Sequence, residues 1–267
     1  MKQKLMPGHS KNKDVHSREL CIAGRWLYER EFIVAAEGNL SVRLSNGHIL
    51  ITPTCLNKGM LEPEDMVVVD IDGHYISGVR QVSSELGMHL FYYKLRPDVN
   101  AICHAHPPTA TGFASSGRGL DRALLPGVVV GLGKIPLVEY ATPGTSELIS
   151  VLEPYAPHYD ALLLANHGAV ACGPDLLTAF FRMEIIEHTA KITLAAEAAG
   201  VPVLLSPGEV ERLISARSRY FVSLPPGGGG LPESSDSREM GEYRSSRVRH
   251  GTDVLWDEAV PKSRVGN

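Results

Sequence analysis

The chain has 267 residues, 43% hydrophobic and 21% charged, with a formal net charge of −4. That balance suits one α/β domain of about 200–250 residues plus an appendage, large enough to bury a core without staples. A mildly acidic chain gives no electrostatic case for nucleic acid or an anionic membrane, and four scattered cysteines (Cys21, Cys55, Cys103, Cys172) make no disulfide framework and point to a reducing cytoplasm.

Met1 to Asp14 carries Lys2, Lys4, Lys11 and Lys13 without an apolar segment, so it reads as a polar, mobile arm and not a signal peptide. No stretch approaches the roughly 20 apolar residues of a membrane span. From Val15 to Arg30, Leu20, Ala23, Trp26 and Leu27 recur at helical spacing. Glu37-Gly38-Asn39 is turn chemistry. Leu40 to Leu44 alternates like a strand, and Asn46-Gly47 turns the chain back into a second strand, His48 to Thr52. Pro53 to Gly59 is a loop, and Val67 to Ile71 is a further strand closed by Asp72-Gly73. The first third therefore reads as antiparallel hairpins.

Ser83-Ser84-Glu85 precedes Met88, Phe91, Tyr92 and Leu95, which places the serines at a helix N-terminus. Free N–H groups and hydroxyls there suit an anion; a capping box at Ser84 is the plainer reading. Arg96-Pro97-Asp98 ends that helix and leads into Val99, Ala101 and Ile102, an apolar strand. Helices follow over Thr109–Ser115 and Ser146–Glu153, with a short strand at Lys134–Tyr140. Strands at Ala161–Leu164 and Ala169–Cys172 are hinged at Asn166-His167-Gly168. The longest helix runs from Pro174 to Ala199 and a last one from Pro207 to Tyr220. Pro225 to Gly230 is a linker by composition, and Ser234 to Asn267 has mixed charge and little apolar content. Such a tail is either draped over a neighbouring subunit or disordered. The expected organisation is an arm (1–14), a catalytic domain (15–222) and a linker with a tail (223–267).

The strongest chemical signal is His104-Ala105-His106-Pro107-Pro108. On a strand, residues i and i+2 share a face, so both imidazoles reach one point, and the prolines put it at the strand's end. His167 is a candidate third ligand and Glu85 a candidate carboxylate. Three imidazoles with a replaceable fourth ligand make an open catalytic zinc site. His9, His16, His48, His74, His89, His158, His188 and His250 read as structural or exposed. Glu184-x-x-Glu187-His188 reads as a solvated helix face with intrahelical pairs, and Cys103 as core.

These residues fall into an ordered set: Ala-Glu-Gly-Asn-Leu-Ser-Val-Arg (36–43), Ile-Thr-Pro-Thr (51–54), Ser-Ser-Glu-x-x-x-His (83–89), Arg-Pro-Asp-Val (96–99), His-Ala-His-Pro-Pro (104–108), Tyr-Ala-Thr-Pro-Gly-Thr (140–145) and Asn-His-Gly (166–168). From about His16 to Tyr220 this order resembles the class II aldolase/adducin family, in particular its fuculose-1-phosphate aldolase branch. The resemblance implies a three-layer α/β/α sandwich with a mostly antiparallel central sheet, in a homotetramer with active sites between subunits. It implies Zn2+ on His104, His106 and His167 (Mn2+, Co2+ or Fe2+ being other candidates), and Glu85 as an acid/base that also ligates the metal. Asn39, Thr54, Ser83 and Ser84 match the family's phosphate-contact positions, and Tyr220 falls where these aldolases carry a proton donor acting across the interface.

The reaction so implied is reversible cleavage of a ketose 1-phosphate to dihydroxyacetone phosphate and an aldehyde through a metal-stabilised enediolate. Decarboxylation, dehydration and epimerisation of a sugar acid or other hydroxy acid are the alternatives on the same scaffold. Epimerase relatives carry Asp at the place of Glu85, which favours carbon–carbon cleavage. An adducin-like interaction module is the non-enzymatic alternative, and the intact histidines argue against it. One departure stands out: the family's aldolases carry Gly after Ile-Thr-Pro-Thr, where the backbone approaches phosphate, and this chain has Cys55.

Overall fold

A computed structural model describes residues 13–217. Its centre is one eight-stranded sheet in the order β4-β3-β2-β1-β5-β8-β7-β6. The strands are β1 (Asn39–Arg43), β2 (Ile49–Ile51), β3 (Val67–Val69), β4 (Tyr75–Ser77), β5 (Ala101–Ala105), β6 (Leu137–Val138), β7 (Ala161–Leu164) and β8 (Gly168–Gly173). Only β6 and β7 run parallel; every other pairing is antiparallel. The Asn46-Gly47 turn joins β1 to β2 in the register Ser41↔Ile51.

Alternation along the strands gives the sheet two apolar faces, and helices cover both. One face, carrying Leu40, Val42, Cys103, Ala105, Leu163 and Ala171, packs against α1 (Lys13–Glu29), α3 (Pro108–Ser115) and α6 (Leu176–Ala199) through Leu20, Leu27, Phe113, Phe180, Met183 and Ile186. The opposite face, with Ile49, Ile51, Ile102, Leu162 and Val170, packs against α2 (Leu86–Leu95) and α5 (Ser146–Leu152) through Met88, Tyr92, Leu148 and Leu152. The result is the expected α/β/α sandwich. Two short helices, α4 (Pro126–Gly131) and α7 (Pro207–Ala216), close a small satellite core of Ala123, Val129 and Val210. Among the described residues no helix is long and apolar enough to cross a membrane.

The differences from the sequence reading are local. Lys13 and Asp14, assigned to the arm, form the first turn of α1, where Asp14 sits favourably at the positive end of the helix dipole. The expected loop after Thr52 contains a 3-10 turn, Lys58–Met60, and another follows at Pro63–Asp65. Edge strand β4 and helix α4 were not foreseen. α7 opens with a reciprocal cap, Ser206 with Glu209. The linker and tail, 223–267, lie outside the described residues, as does Tyr220.

Candidate metal centre

Strand β5 delivers two imidazoles. Ala101, Cys103 and Ala105 face the α1/α3/α6 core, so His104 points to the opposite face with Ile102. His106 follows just past the strand end, its N–H held by the Phe32 carbonyl at 2.8 Å. The third comes from the β7–β8 hairpin, paired through Leu164↔Gly168 and set beside β5 through Ala105↔Ala169. Asn166 takes the left-handed conformation at its tip, φ 55°, which Asn tolerates better than most residues. Gly168 is required by close approach: a Cβ there would lie 2.5 Å from His106 Cδ2 and 2.6 Å from the Ala105 carbonyl oxygen. The three rings converge with centroids 4.7 to 5.0 Å apart.

Glu85 immediately precedes α2 and aims its carboxylate at the rings. Oε2 lies 3.2 Å from His104 Nε2, and Oε1 lies 3.4 Å from His167 Nε2. Asn39, opposite His104 across the β1–β5 ladder, donates its amide to Oε2 at 2.7 Å.

Hydrogen-bond chemistry fixes which ring nitrogens are free. His104 Nδ1 lies 2.9 Å from the Ala169 carbonyl oxygen, an atom that only accepts, so Nδ1 carries the proton and Nε2 the lone pair. His106 Nδ1 faces Glu37 Oε2 at 3.1 Å, with the same consequence. The two Nε2 atoms are 3.2 Å apart. Two ligand nitrogens at tetrahedral positions about Zn2+, each at about 2.0–2.1 Å, would be separated by about 3.3 Å. Glu85 Oε1, 3.4 Å from His167 Nε2, is buried without a hydrogen-bond partner, as a polar atom whose partner is an ion would be. His104, His106 and His167 thus form a group able to hold a metal ion, their ligand atoms all within 4.8 Å of one another.

The electrostatics point the same way. Burial pushes the Glu85 carboxyl up, but His104, His167 and the Asn39 amide together outweigh it, and the net shift is well below the usual carboxylate range. Burial lowers His167 to about 3, with His104 adding to the effect. His106 is also lowered, chiefly by burial and then by His104. For His104 burial is overcome by Glu85, and the net direction is up. The pocket therefore favours an ionised carboxylate facing mostly neutral imidazoles, which is the ionisation state a cation needs from its ligands.

The candidate anion donors sit beside this centre. Pro53 pairs with Val82, and the Thr54 N–H donates to the Gln81 carbonyl at 3.1 Å, which brings the 53–55 and 82–84 segments together. The Ser83 hydroxyl accepts the Glu85 N–H at 3.3 Å. No side chain caps α2 and Ser84 is exposed, so the capping box at Ser84 is not formed. Asn39 is buried and already uses one amide N–H on Glu85, which leaves one for an anion. Cys55 keeps the left-handed backbone that glycine would adopt freely, φ 58°, with its thiol exposed. Behind it, Lys58 is buried and donates to the Ala36 and Leu56 carbonyls at 2.8 and 2.7 Å. Burial lowers its amine to about 8 despite the opposing pull of Cys55 and Glu85.

Three participants were not legible in the sequence. Glu37 orients His106 from a turn that Gly38 packs against β5, and only the fold shows that contact. Lys58 ties that turn to the Thr54 loop. His89, grouped with the structural or exposed histidines, is fully buried and bonds to Asn39 and Ser41. The Ser-Ser-Glu-x-x-x-His spacing was its available signal. Glu187, read as solvated, is in fact buried: it accepts the Thr109 and Ala110 N–H groups at the start of α3. Pro107 and Pro108 begin that helix and leave its free donors to a side chain from α6. The expected intrahelical pairing holds for Glu187, which meets Lys191 at 3.3 Å, while Glu184 pairs with Arg30 at 2.6 Å. A cavity of about 800 Å³ lined by Trp26, Arg43, Asn100 and Phe180 contains none of the candidate residues, so chemistry rather than volume marks the site.

Comparison with known proteins shows the family. Residues 18–194 match the family model described as Class II Aldolase and Adducin N-terminal domain. A 3-oxo-tetronate 4-phosphate decarboxylase of Haemophilus influenzae is 37% identical over 185 residues, covering 67% of this chain and 87% of that protein. An L-fuculose phosphate aldolase of Methanocaldococcus jannaschii is 35% identical over 170 residues, 64% of this chain and 91% of that protein. A solved structure of an L-fuculose 1-phosphate aldolase superposes with a TM-score of 0.72 at 36% identity, covering 79% of this chain and 100% of that one. The chain belongs to the class II aldolase and adducin N-terminal domain family.

Proposed function

We propose that the protein is a zinc-dependent lyase that cleaves a carbon–carbon bond beside a carbonyl in a phosphorylated, sugar-derived substrate. The observation that carries this reading is the convergence of three imidazoles, two with their lone pairs fixed inward, on a buried, ionised Glu85. His104, His106 and His167 would hold the ion, with Glu85 as a replaceable fourth ligand. When bound, the ion supplies a Lewis acid for the negative charge that develops on oxygen as the bond breaks.

The chain's own groups do the rest. In the direction of bond formation Glu85, held as the anion, takes a proton from the carbon beside the carbonyl; in cleavage it passes to that carbon a proton that it first accepts from the substrate hydroxyl or from solvent. Asn39, Thr54, Ser83 and Ser84 would bind the phosphate through neutral donors, and Tyr220 would protonate across a subunit interface in a homotetramer. The catalytic unit would span 15–222. Four free thiols suit a reducing, cytoplasmic setting.

In the leading reading the substrate is a ketose 1-phosphate such as fuculose 1-phosphate, cleaved to dihydroxyacetone phosphate and an aldehyde. The likeness to 3-oxo-tetronate 4-phosphate decarboxylases supports a second reading. There carbon dioxide leaves instead of an aldehyde, and the leaving group needs no Tyr220. Two assays separate them: dihydroxyacetone phosphate release from fuculose 1-phosphate, and carbon dioxide release from 3-oxo-tetronate 4-phosphate. Turnover in the first, lowered by about 10²–10⁴-fold in Glu85→Gln, is the expected result. Turnover only in the second replaces the aldolase reading, and turnover in neither with zinc bound sinks both.

A further inference from the structure

Glu85, His89 and Tyr93 stand four residues apart at the start of and along α2, while Asn39 and Ser41 stand two apart on β1. The two spacings mesh. Tyr93 Oη lies 2.7 Å from Ser41 Oγ, Ser41 Oγ 2.6 Å from His89 Nδ1, His89 Nε2 2.5 Å from Asn39 Oδ1, and Asn39 Nδ2 2.7 Å from Glu85 Oε2. All five side chains are buried, His89 and Ser41 completely.

The direction of every bond follows from the last one. A carboxylate only accepts, so Asn39 must present its N–H to Glu85 and its oxygen to His89. His89 Nε2 must then donate, which leaves Nδ1 to accept from the Ser41 hydroxyl, and the Ser41 oxygen accepts in turn from the Tyr93 hydroxyl. Burial pushes the His89 ring down to about 3, so it stays neutral and has one proton to place. In the other tautomer Nε2 would oppose Oδ1, the Asn39 amide would turn over, and oxygen would face the Glu85 carboxylate. With Oε2 held by Asn39 at 2.7 Å, both carboxylate oxygens face the triad, Oε2 3.2 Å from His104 Nε2 and Oε1, buried and without a hydrogen bond, 3.4 Å from His167 Nε2.

We propose that His89 is a positioning residue, which through Asn39 fixes the orientation of Glu85 toward the metal-binding histidines. The inference rests on the metal-centre reading above, and it assigns Ser41 and Tyr93 the task of selecting the His89 tautomer.

The test has two arms, both on the full chain. In the first, selective 15N-histidine labelling of the metal-free protein reads the tautomer, with the His89 signal assigned by its loss in His89→Gln. A neutral ring protonated on Nε2 is expected, and in Ser41→Ala a mixture of tautomers. An Nδ1-protonated ring or an imidazolium overturns the proposal. In the second, Co2+ replaces the native ion and its visible absorption is compared in wild type, Glu85→Gln, His89→Leu and the double variant. His89→Leu should shift the spectrum as Glu85→Gln does, with no further shift in the double variant and partial return in His89→Gln, whose amide can still donate. Turnover in His89→Leu should fall by about 10–100-fold, with KM within about threefold. A wild-type spectrum in His89→Leu, or shifts that add in the double variant, overturns the proposal; if leucine does not fold, Ser41→Ala carries the same comparison. Wild type that binds no Co2+ overturns the metal reading and the role with it. Wild type that binds Co2+ but turns over neither substrate overturns only the proposed reaction.

Discussion

Nε2 of His104 faces Nε2 of His106 across 3.2 Å, and neither atom has a proton to offer, since each ring spends its own on the Ala169 carbonyl or on Glu37. Two lone pairs at that distance repel unless positive charge stands between them. Added zinc is therefore expected to stabilise the fold by mass action, by about 2.7 kcal/mol at a hundredfold excess over Kd. Metal analysis should give about one ion per chain. His104→Ala and His167→Ala should lose both the ion and the zinc-dependent rise in Tm. Equal zinc stabilisation of either variant would place the ion elsewhere.

Glu37 touches the site only through His106 Nδ1, and its side chain is 44% exposed. Glu37→Gln keeps a hydrogen-bond acceptor but removes the charge that makes the ring a better ligand. Partners of this kind typically carry 10–100-fold in metal affinity or activity. A loss of about that size is expected in chelator competition, with stability changed by no more than about 0.5 kcal/mol because little packing is lost. An unchanged affinity would show that the contact orients nothing.

How far the sequence reaches can be judged from these same residues. His104 and His106 were legible because strand alternation is local: two residues apart means one face. His167 and Glu85 could be named but not placed, since their convergence depends on the β5–β8 and β1–β5 registers. Glu37 and His89 act through partners more than 45 positions away, and no local period encodes such pairs. β4 gives no strand signal because it is a three-residue edge strand with Tyr75 and Ile76 both exposed and Ser77 half-buried, so it lacks alternation. Helix α4, Pro-Gly-Val-Val-Val-Gly, has poor intrinsic propensity and is held by Val129 packing with Val210 of α7. In each miss, tertiary contact overrode the local signal.

Lys58 gives a pH prediction whose sign is easily mistaken. Burial holds its amine at about 8, below the usual 10.5 of a lysine. Between those values the unfolded chain binds more protons, so the lysine's contribution to stability rises with pH across that window. Lys58→Met abolishes this term and leaves the Ala36 and Leu56 carbonyls without their donor, at about 1–3 kcal/mol for each buried group left unpaired. The stability gap between wild type and Lys58→Met in urea should therefore widen from pH 8 to 10. Since the same ammonium ties the Glu37-bearing turn to the Thr54 loop, KM for a phosphorylated substrate should rise as well. A gap that is flat or narrows with pH would mean that burial does not lower the Lys58 amine.

Cys55 sits at φ 58° with its thiol exposed, while Cys21, Cys103 and Cys172 are buried. A non-glycine residue in that region costs roughly 1–2 kcal/mol, which Cys55→Gly would recover, less roughly 0.5–1 kcal/mol of added chain entropy. Stability should rise by no more than about 1.5 kcal/mol, whereas Cys55→Val, branched at Cβ in the same conformation, should be clearly destabilised. The thiol also reports on the loop. Cys55 should be the one cysteine of the native chain that iodoacetamide alkylates quickly, and inorganic phosphate should slow that reaction if the 53–55 and 82–84 segments form an anion pocket. Cys55→Gly should then raise kcat/KM for a phosphorylated substrate, because bare backbone can approach the phosphate where the side chain now stands. Alkylation indifferent to phosphate, with kcat/KM unchanged in Cys55→Gly, would separate this loop from substrate binding and leave the metal centre with an unphosphorylated substrate.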